Sequence, residues 1–264
     1  MQPLSHWPAG ERARIAGVLT DIDDTLTTEG AVTPDALAAL AALARAGLHV
    51  IPITGRPAGW SEPFALQWPV DAIVAENGAV ALARGTAPGT LRKRYQQPAD
   101  ERAANFARMQ QVARRILREV PGATLARDSA GRETDIAIDH DEFAHLPPEA
   151  IEQVVALMRA EGMNATVSSI HVNGWYGRHD KLEGARWIVR ELLDRALDEE
   201  LDRWVYVGDS TNDVLMFRHF PHSVGVANIR RFEAQLTHKP AYVTQAERGA
   251  GFAEVARALL EVRP

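Results

Sequence analysis

The sequence predicts an α/β fold: a Rossmann-like, three-layer core on a mainly parallel sheet, with an inserted α+β cap domain. Three observations support this fold class. Short β-type runs alternate with helical patterns near both ends of the chain, which is typical of a parallel sheet covered by helices. The middle of the chain departs from this alternation and has the character of a separate α+β section. The length of 264 residues accommodates two modest domains.

The predicted core elements form two groups, one on each side of the middle section. The first group comprises strands at residues 15–20, 49–53 and 72–74, with a helix between the first two. The second group comprises a helix at 181–197, a strand at 204–207, a helix at 212–219, short strands at 223–226 and 241–243, and a closing helix at 251–262. We therefore expect a discontinuous core at residues 1–83 and 177–264.

The first helix carries clear boundary signals. Thr33 is its expected N-cap, Pro34 its first residue and Gly47 its stop. Its apolar side is expected to carry Leu37, Leu40 and Leu43. After the strand at 72–74, the dipeptide Asn77-Gly78 predicts a hairpin.

The middle section, residues 84–176, is predicted to be the cap domain. A polar stretch at 84–89 marks its junction with the core. Its expected elements are strands at 91–95, 124–127, 135–138 and about 165–172, and helices at about 100–120 and 148–161.

Composition excludes several classes of function. The formal charge is −6, from 29 Lys and Arg against 35 Asp and Glu, which argues against general nucleic-acid binding. The absence of cysteine excludes disulfides, thiolate metal sites and a cysteine nucleophile. The sequence shows no signal core, and its most apolar helical run, 36–46, is too short to span a bilayer. We expect a cytoplasmic protein without a membrane partner, whose oligomeric state stays open.

Two acidic residues directly follow the first predicted strand. Asp21 and Asp23 are two positions apart, so an extended backbone points both carboxylates the same way. Ligands of open α/β sheets bind beyond the carboxyl ends of the strands, and paired carboxylates there suit metal-assisted acid–base chemistry. Taken alone, the pattern is equally typical of a polar loop.

Polar groups also follow two other predicted strands. Thr54-Gly55-Arg56 offers a hydroxyl and backbone N–H groups to an anion, although a helix N-cap at Thr54 is an equal alternative. The spacing of Asp209 and Asp213 suits Mg²⁺ ligands. Acids that the helix dipole favours at a helix N-terminus are the alternative. Because parallel strands end side by side, we expect Asp21, Thr54 and Asp209 to converge at one edge of the sheet.

Together these residues strongly resemble the haloacid dehalogenase superfamily. The four signature motifs of that superfamily are similar, in order, to Asp21-Ile22-Asp23-Asp24-Thr25, Thr54-Gly55-Arg56, Lys181 and Gly208-Asp209-Ser210-Thr211-Asn212-Asp213. The section between the second and third motifs resembles the large α/β cap of the Cof-like branch, and Val226-Ala227-Asn228 and Tyr242-Val243-Thr244 resemble its tail. The resemblance covers nearly the whole chain, although the cap matches in layout only.

The resemblance implies an enzyme, a phosphoric monoester hydrolase, and a role for each motif residue. Asp21 is the implied nucleophile, which forms an aspartyl-phosphate, and Asp23 the general acid and base. Thr54 and Lys181 are implied to bind the phosphoryl oxygens, with Gly55, Arg56 and Asn212 beside them. The implied cofactor is Mg²⁺, held by Asp21, the main-chain carbonyl of Asp23 and Asp209, with Asp213 ligating directly or through water.

Within the expected cap, Ser169, His171 and Asn173 alternate along a predicted strand, so one face of that strand is polar. These side chains are candidates for binding substrate hydroxyls. An ordinary solvated face is the alternative, because exposed strand faces are polar.

The leading hypothesis is hydrolysis of a small phosphate monoester, a sugar phosphate or a phosphorylated sugar acid. An acid at Asp23 suits an ester, because the alkoxide leaving group needs a proton. One alternative is a phosphomannomutase-like phosphotransferase, and another is a non-catalytic sugar-phosphate binding protein. The expected partner is a small-molecule phosphate ester in each case.

Overall fold

The computed structural model describes residues 1–263. In chain order the strands are β1 (Gln2–Pro3), β2 (Gly17–Thr20), β3 (Thr27–Thr28), β4 (Ala31–Val32), β5 (His49–Pro52), β6 (Ile73–Ala75), β7 (Val80–Arg84), β8 (Leu91–Tyr95), β9 (Thr124–Leu125), β10 (Ile136–Asp139), β11 (Asn164–Val167), β12 (His171–Trp175), β13 (Trp204–Gly208), β14 (His222–Gly225) and β15 (Tyr242–Val243). The α-helices are α1 (Ala9–Arg12), α2 (Pro34–Arg45), α3 (Ala58–Gln67), α4 (Ala99–Glu119), α5 (Pro148–Ala160), α6 (Lys181–Leu193), α7 (Val214–His219) and α8 (Arg248–Leu260). None of these helices has both the length and the apolar character needed to cross a membrane.

Six strands form the parallel sheet of the core, which confirms the predicted α/β fold. Their order is β1-β15-β14-β13-β2-β5. Strand β2 lies between β13 and β5, with Thr20 beside both Val207 and Pro52. Every residue of β2 and β13 is buried, as expected for strands covered on both faces. The residues that follow β2, β5 and β13 therefore emerge side by side at one sheet edge.

A three-stranded antiparallel sheet, β6-β7-β8, lies next to this edge. It contains the predicted hairpin, in which Asn77 has a φ of 54° and Gly78 a φ of 109°. Asparagine and glycine tolerate this left-handed region better than other residues, so their positions follow from the turn. A parallel bridge between Ile53 and Val74 places β6 beside the end of β5.

The middle of the chain forms a second, antiparallel sheet in the order β11-β12-β10-β9. Helices α4 and α5 cover it, and apolar side chains of both helices pack on Ile138 and Val172. We call residues 99–175, from α4 through β12, the insertion. The division into a core and a cap at residues 84–176 stays a prediction, and within that range β8 pairs with β7 rather than with the sheet of the insertion.

The strand predicted at about 165–172 is wrong as a single element, because it is a hairpin of β11 and β12. The turn between them is stabilised by the Ser168 hydroxyl, which accepts hydrogen bonds from the backbone N–H of Ile170 at 3.3 Å and of His171 at 3.0 Å. Serine favours such local bonds to the backbone, and this interrupts the strand.

Two details of the helices also differ from expectation. Leu37 is 41% exposed, whereas Leu40 and Leu43 are buried with Ala36 and Ala39 against α8. The buried side of α2 follows a repeat of three and four residues that passes through 36, 40 and 43, and Leu37 lies off it. Helix α3 was not predicted, because Pro63 lies inside it and hides its pattern.

Candidate active site

Asp21 and Lys181 meet directly, although 160 residues separate them in the chain. Asp21 follows the buried strand β2, and Lys181 is the first residue of α6, whose N-cap Asp180 accepts a hydrogen bond from the backbone N–H of Glu183 at 2.8 Å. The Lys181 ammonium donates to Asp21 Oδ1 at 2.7 Å and to Asp213 Oδ1 at 2.7 Å. Both Asp21 and Lys181 are only 4% exposed. One buried cation therefore joins two acids that follow different strands.

Asp213 is held in place by its own loop. Its Oδ2 atom accepts hydrogen bonds from the backbone N–H of Asp209 at 2.9 Å and of Ser210 at 3.2 Å, and its Oδ1 atom accepts from the Tyr206 hydroxyl. Oxygen atoms of Asp21, Asp209 and Asp213 all lie within 4.8 Å of one another. The predicted convergence of Asp21 and Asp209 is therefore present in the geometry.

This cluster contains more negative than positive charge. Burial, against the opposing effect of Lys181 and with the added effect of the Asp213 and Asp23 carboxylates, raises the pKa of Asp21 to about 7. Burial, with Asp21 and Asp213, also raises the pKa of Asp209 well above its usual range. The pKa of Lys181 is raised, because these carboxylates outweigh the effect of its burial. Three buried acids thus share one ammonium.

These features match a divalent cation. Asp209 Oδ1 is buried and accepts no hydrogen bond from the described residues, so one carboxylate oxygen is available as a ligand. Carboxylate oxygens at this spacing are the donors that Mg²⁺ prefers, and a bound cation relieves the repulsion that raises these pKa values.

Asp23 belongs to a different set of contacts, centred on Arg56. The Arg56 Nε atom lies 2.9 and 3.0 Å from the two carboxylate oxygens of Asp23. The same guanidinium reaches two acids of the insertion, Asp128 at 3.2 Å and Glu142 at 2.8 Å. Its charge is compensated by three carboxylates, so the structure places Arg56 as a link between Asp23 and the insertion.

The remaining predicted core residues lie at the same edge without a hydrogen bond to Asp21 among the described residues. The buried Thr54 Oγ1 accepts from the backbone N–H of Arg56 at 3.0 Å. The Gly55 carbonyl accepts from Arg132 at 3.0 Å. Asn212 Oδ1 accepts from the Ser210 hydroxyl at 2.8 Å.

The three candidates in the insertion have different surroundings. His171 and Asn173 lie on β12 and are each 2% exposed, so their strand face is polar but not solvated. His171 contacts Glu142 at 3.0 Å, and Asn173 donates to the Gly55 carbonyl at 3.3 Å and to Asp135 at 3.1 Å. Ser169 lies in the turn before β12, where its hydroxyl opposes the effect of burial, which raises the pKa of Asp24. All three sit where the insertion meets the core.

Two residues at the site were not among the predicted site residues. Asn228 follows β14, and its Nδ2 donates to Asp209 Oδ2 at 3.1 Å and to the Asp24 carbonyl at 3.0 Å. Its position just beyond a parallel strand could have identified it from the sequence as a site residue. Glu142 had no such signal, because only the fold of the insertion brings it to Arg56 and His171. Burial opposes its ionisation, but hydrogen bonds from His171 and Arg56 outweigh this and lower its pKa to about 2.

A cavity of about 790 Å³ opens beside these residues. Among its lining residues are Asp23, Asp24, Arg56 and Asp209 of the core and Asp141, Glu142, Phe143, Ser169 and Ile170 of the insertion. Arg231, Phe232 and Arg248 of the core also line it. Its volume is within the range of sites for small molecules.

Comparison with known proteins agrees with this geometry. Residues 18–103 match the family model of the haloacid dehalogenase-like hydrolases. No curated protein sequence matches the chain significantly.

Solved structures resemble the chain over almost its whole length. A Thermoplasma acidophilum protein has a TM-score of 0.69 at 16% identity, over 94% of this chain and 99% of the other. The sucrose-phosphatase of Synechocystis sp. PCC6803, in complex with sucrose and phosphate, has a TM-score of 0.66 at 18% identity, over 92% and 97%. The C-terminal domain of Candida albicans trehalose-6-phosphate phosphatase has a TM-score of 0.68 at 14% identity, over 99% and 98%. The family model matches residues 18–103, and the solved structures share the fold; both agree with the resemblance seen in the sequence.

Proposed function

We propose that this protein is a Mg²⁺-dependent phosphatase that attacks a small phosphate monoester with the carboxylate of Asp21. One observation carries the proposal: Lys181 holds Asp21 within a buried group of three carboxylates that suits a divalent cation, beside a cavity of ligand size. Phosphoryl transfer depends mainly on positioning and on charge compensation, and this arrangement supplies both.

Each motif residue has a role in this proposal. Asp21 forms a bond to phosphorus and becomes an aspartyl-phosphate, while Asp23 protonates the departing alkoxide. Asp23 then takes a proton from the water that hydrolyses the aspartyl-phosphate. Lys181 and Thr54 bind phosphoryl oxygens, and Asn212 orients them. Arg56 holds the Asp23 carboxylate through two contacts, which fixes its direction.

Asp21, Asp209 and the main-chain carbonyl of Asp23 would hold the metal. Both oxygens of Asp213 already accept hydrogen bonds, so Asp213 suits ligation through water better than direct ligation. When bound, Mg²⁺ neutralises the repulsion between the Asp21 carboxylate and the phosphate.

A sugar phosphate or a phosphorylated sugar acid is the proposed substrate class. Two proteins that share the fold are named as phosphatases of sucrose phosphate and trehalose 6-phosphate, which supports a sugar ester. The cavity walls also carry many polar groups, as sugar hydroxyls require.

The mutase alternative is less well supported. A mutase must hold a second phosphate, yet among the described residues that line the cavity the insertion contributes no lysine or arginine. It contributes the acids Asp141 and Glu142 instead. The non-catalytic alternative does not account for a lysine buried between two acids at the motif positions.

The test measures the hydrolysis of a panel of sugar phosphates by the unmodified protein, with Mg²⁺ and with EDTA, and by the variant Asp21→Asn with Mg²⁺. We expect turnover that requires Mg²⁺ and is lost in Asp21→Asn. The exposed Asp202, which pairs with Arg14 at 3.7 Å, provides the matched control Asp202→Asn, whose activity stays unchanged. Transfer that requires a bisphosphate would indicate a mutase, and binding without turnover would indicate a regulatory protein.

A further inference from the structure

Phe143 is an exposed aromatic side chain in the wall of this cavity. The residue is 53% exposed. It is one of four exposed large apolar residues in 1–263, and of these four it alone lines this cavity. Exposing a phenyl ring to water is unfavourable, so a ligand that covers the ring gains free energy from that contact.

The position of Phe143 is fixed from two sides. The buried Asp139 accepts hydrogen bonds from the backbone N–H of Glu142 at 2.9 Å and of Phe143 at 3.1 Å. The Arg127 guanidinium covers one face of the ring, at 3.7 Å from its centroid. Because that face is occupied, the exposed area belongs to the other face and the edge. A ring held in this way presents a flat surface with little entropy left to lose on binding.

Phe143 also shares its cavity with residues of the proposed catalytic site. The motif residues Asp23 and Asp209 line the same cavity as Phe143, which belongs to the insertion. A phosphate bound at Asp21 therefore leaves the rest of the ester to extend along this cavity toward the ring.

We propose that Phe143 determines specificity by packing its free face against the C–H face of a cyclic sugar, so that the enzyme prefers ring-form sugar phosphates over acyclic polyol phosphates. A pyranose or furanose ring has an apolar face that matches a phenyl ring, whereas an open polyol chain has none. This inference rests on the proposed phosphatase function and narrows its substrate class.

The experiment compares cyclic hexose phosphates with glucitol 6-phosphate and glycerol 3-phosphate in steady-state assays. In Phe143→Ala we expect KM for the cyclic esters to rise about tenfold, the size of one lost aromatic stacking contact, while kcat stays unchanged. We expect KM for the acyclic esters to change less than about twofold, since they lack that contact. Phe143→Tyr keeps the ring and restores the preference.

Leu117→Ala is the matched control, because Leu117 on α4 is 41% exposed outside the cavity. We expect Leu117→Ala to leave KM and kcat unchanged for both the cyclic and the acyclic esters. Equal losses for cyclic and acyclic esters in Phe143→Ala, or no loss for either, would overturn the inference while leaving the phosphatase function intact. If the unmodified protein hydrolyses no ester in the panel, the proposed function fails and the inference fails with it.

Discussion

Replacing Lys181 with methionine removes the one cation that the three buried acids share. Breaking a buried ion pair by removing one partner costs about 3–5 kcal/mol, because the remaining charge stays buried without compensation. In a chain of this size such a loss lowers the melting temperature by roughly 10 °C. Lys181 bonds to two carboxylates rather than one, which places the expected loss in the upper half of that range.

Mg²⁺ should partly reverse the loss, because it supplies positive charge to the same carboxylates. We expect Mg²⁺ to raise the melting temperature of Lys181→Met by more than that of the unmodified protein, while activity falls by about a thousandfold because the phosphoryl oxygens lose a charged donor.

Lys93→Met is the control for this prediction, since Lys93 also joins two acids, Glu62 at 2.6 Å and Glu133 at 2.7 Å, but is 30% exposed. Its loss should cost no more than about 1 kcal/mol and should show no dependence on Mg²⁺. The reasoning is refuted if thermal unfolding of Lys181→Met responds to Mg²⁺ no more than that of the unmodified protein.

Three further predictions concern stability and metal affinity. Burial lowers the pKa of His179 to about 4, and neither ring nitrogen has a hydrogen-bond partner in the described residues, so its neutral form is favoured in the fold. Because the pKa of His179 is lower in the fold than its unfolded value near 6.5, the stability that this residue contributes is present above pH 6.5 and is lost as the pH falls toward 4. Between pH 7 and 4.5 the free energy of unfolding should therefore fall about 2 kcal/mol less in His179→Phe than in the unmodified protein. Equal pH profiles would contradict this. The buried Glu76 accepts hydrogen bonds from the backbone N–H of Ala58, Glu133 and Thr134, so Glu76→Ala should cost about 3 kcal/mol or more in denaturant unfolding, and a cost below about 1 kcal/mol would show that these donors find other partners. Asn228→Ala removes the amide that orients Asp209, so Mg²⁺ affinity measured by calorimetry should fall about tenfold or more, and an unchanged affinity would separate Asn228 from the metal site.

The part of the site that follows strand ends could be predicted from the sequence. Asp21, Thr54 and Asp209 each come after a buried strand, and parallel strands in adjacent positions bring such residues to one edge. Asn228 obeys the same rule after β14, and the sequence contains that signal.

Contacts between the insertion and the core could not be predicted in this way. Arg56 looked like an anion-binding residue, but the structure surrounds it with Asp23, Asp128 and Glu142. His171 and Asn173 face the core rather than solvent. These pairings depend on how an antiparallel sheet packs against a loop far away in the chain, and no local spacing encodes that.

The attack of Asp21 on phosphorus is the central claim, and trapping the covalent intermediate tests it most directly. The protein is mixed with Mg²⁺ and a sugar phosphate that it hydrolyses, and the reaction is quenched in acid during turnover. The protein is then digested, and the peptide that contains Asp21 is analysed by mass spectrometry. The account predicts the added mass of one phosphoryl group on Asp21, and none on the same peptide from Asp21→Asn. A phosphoryl group on another residue, or undiminished turnover in Asp21→Asn, would contradict it.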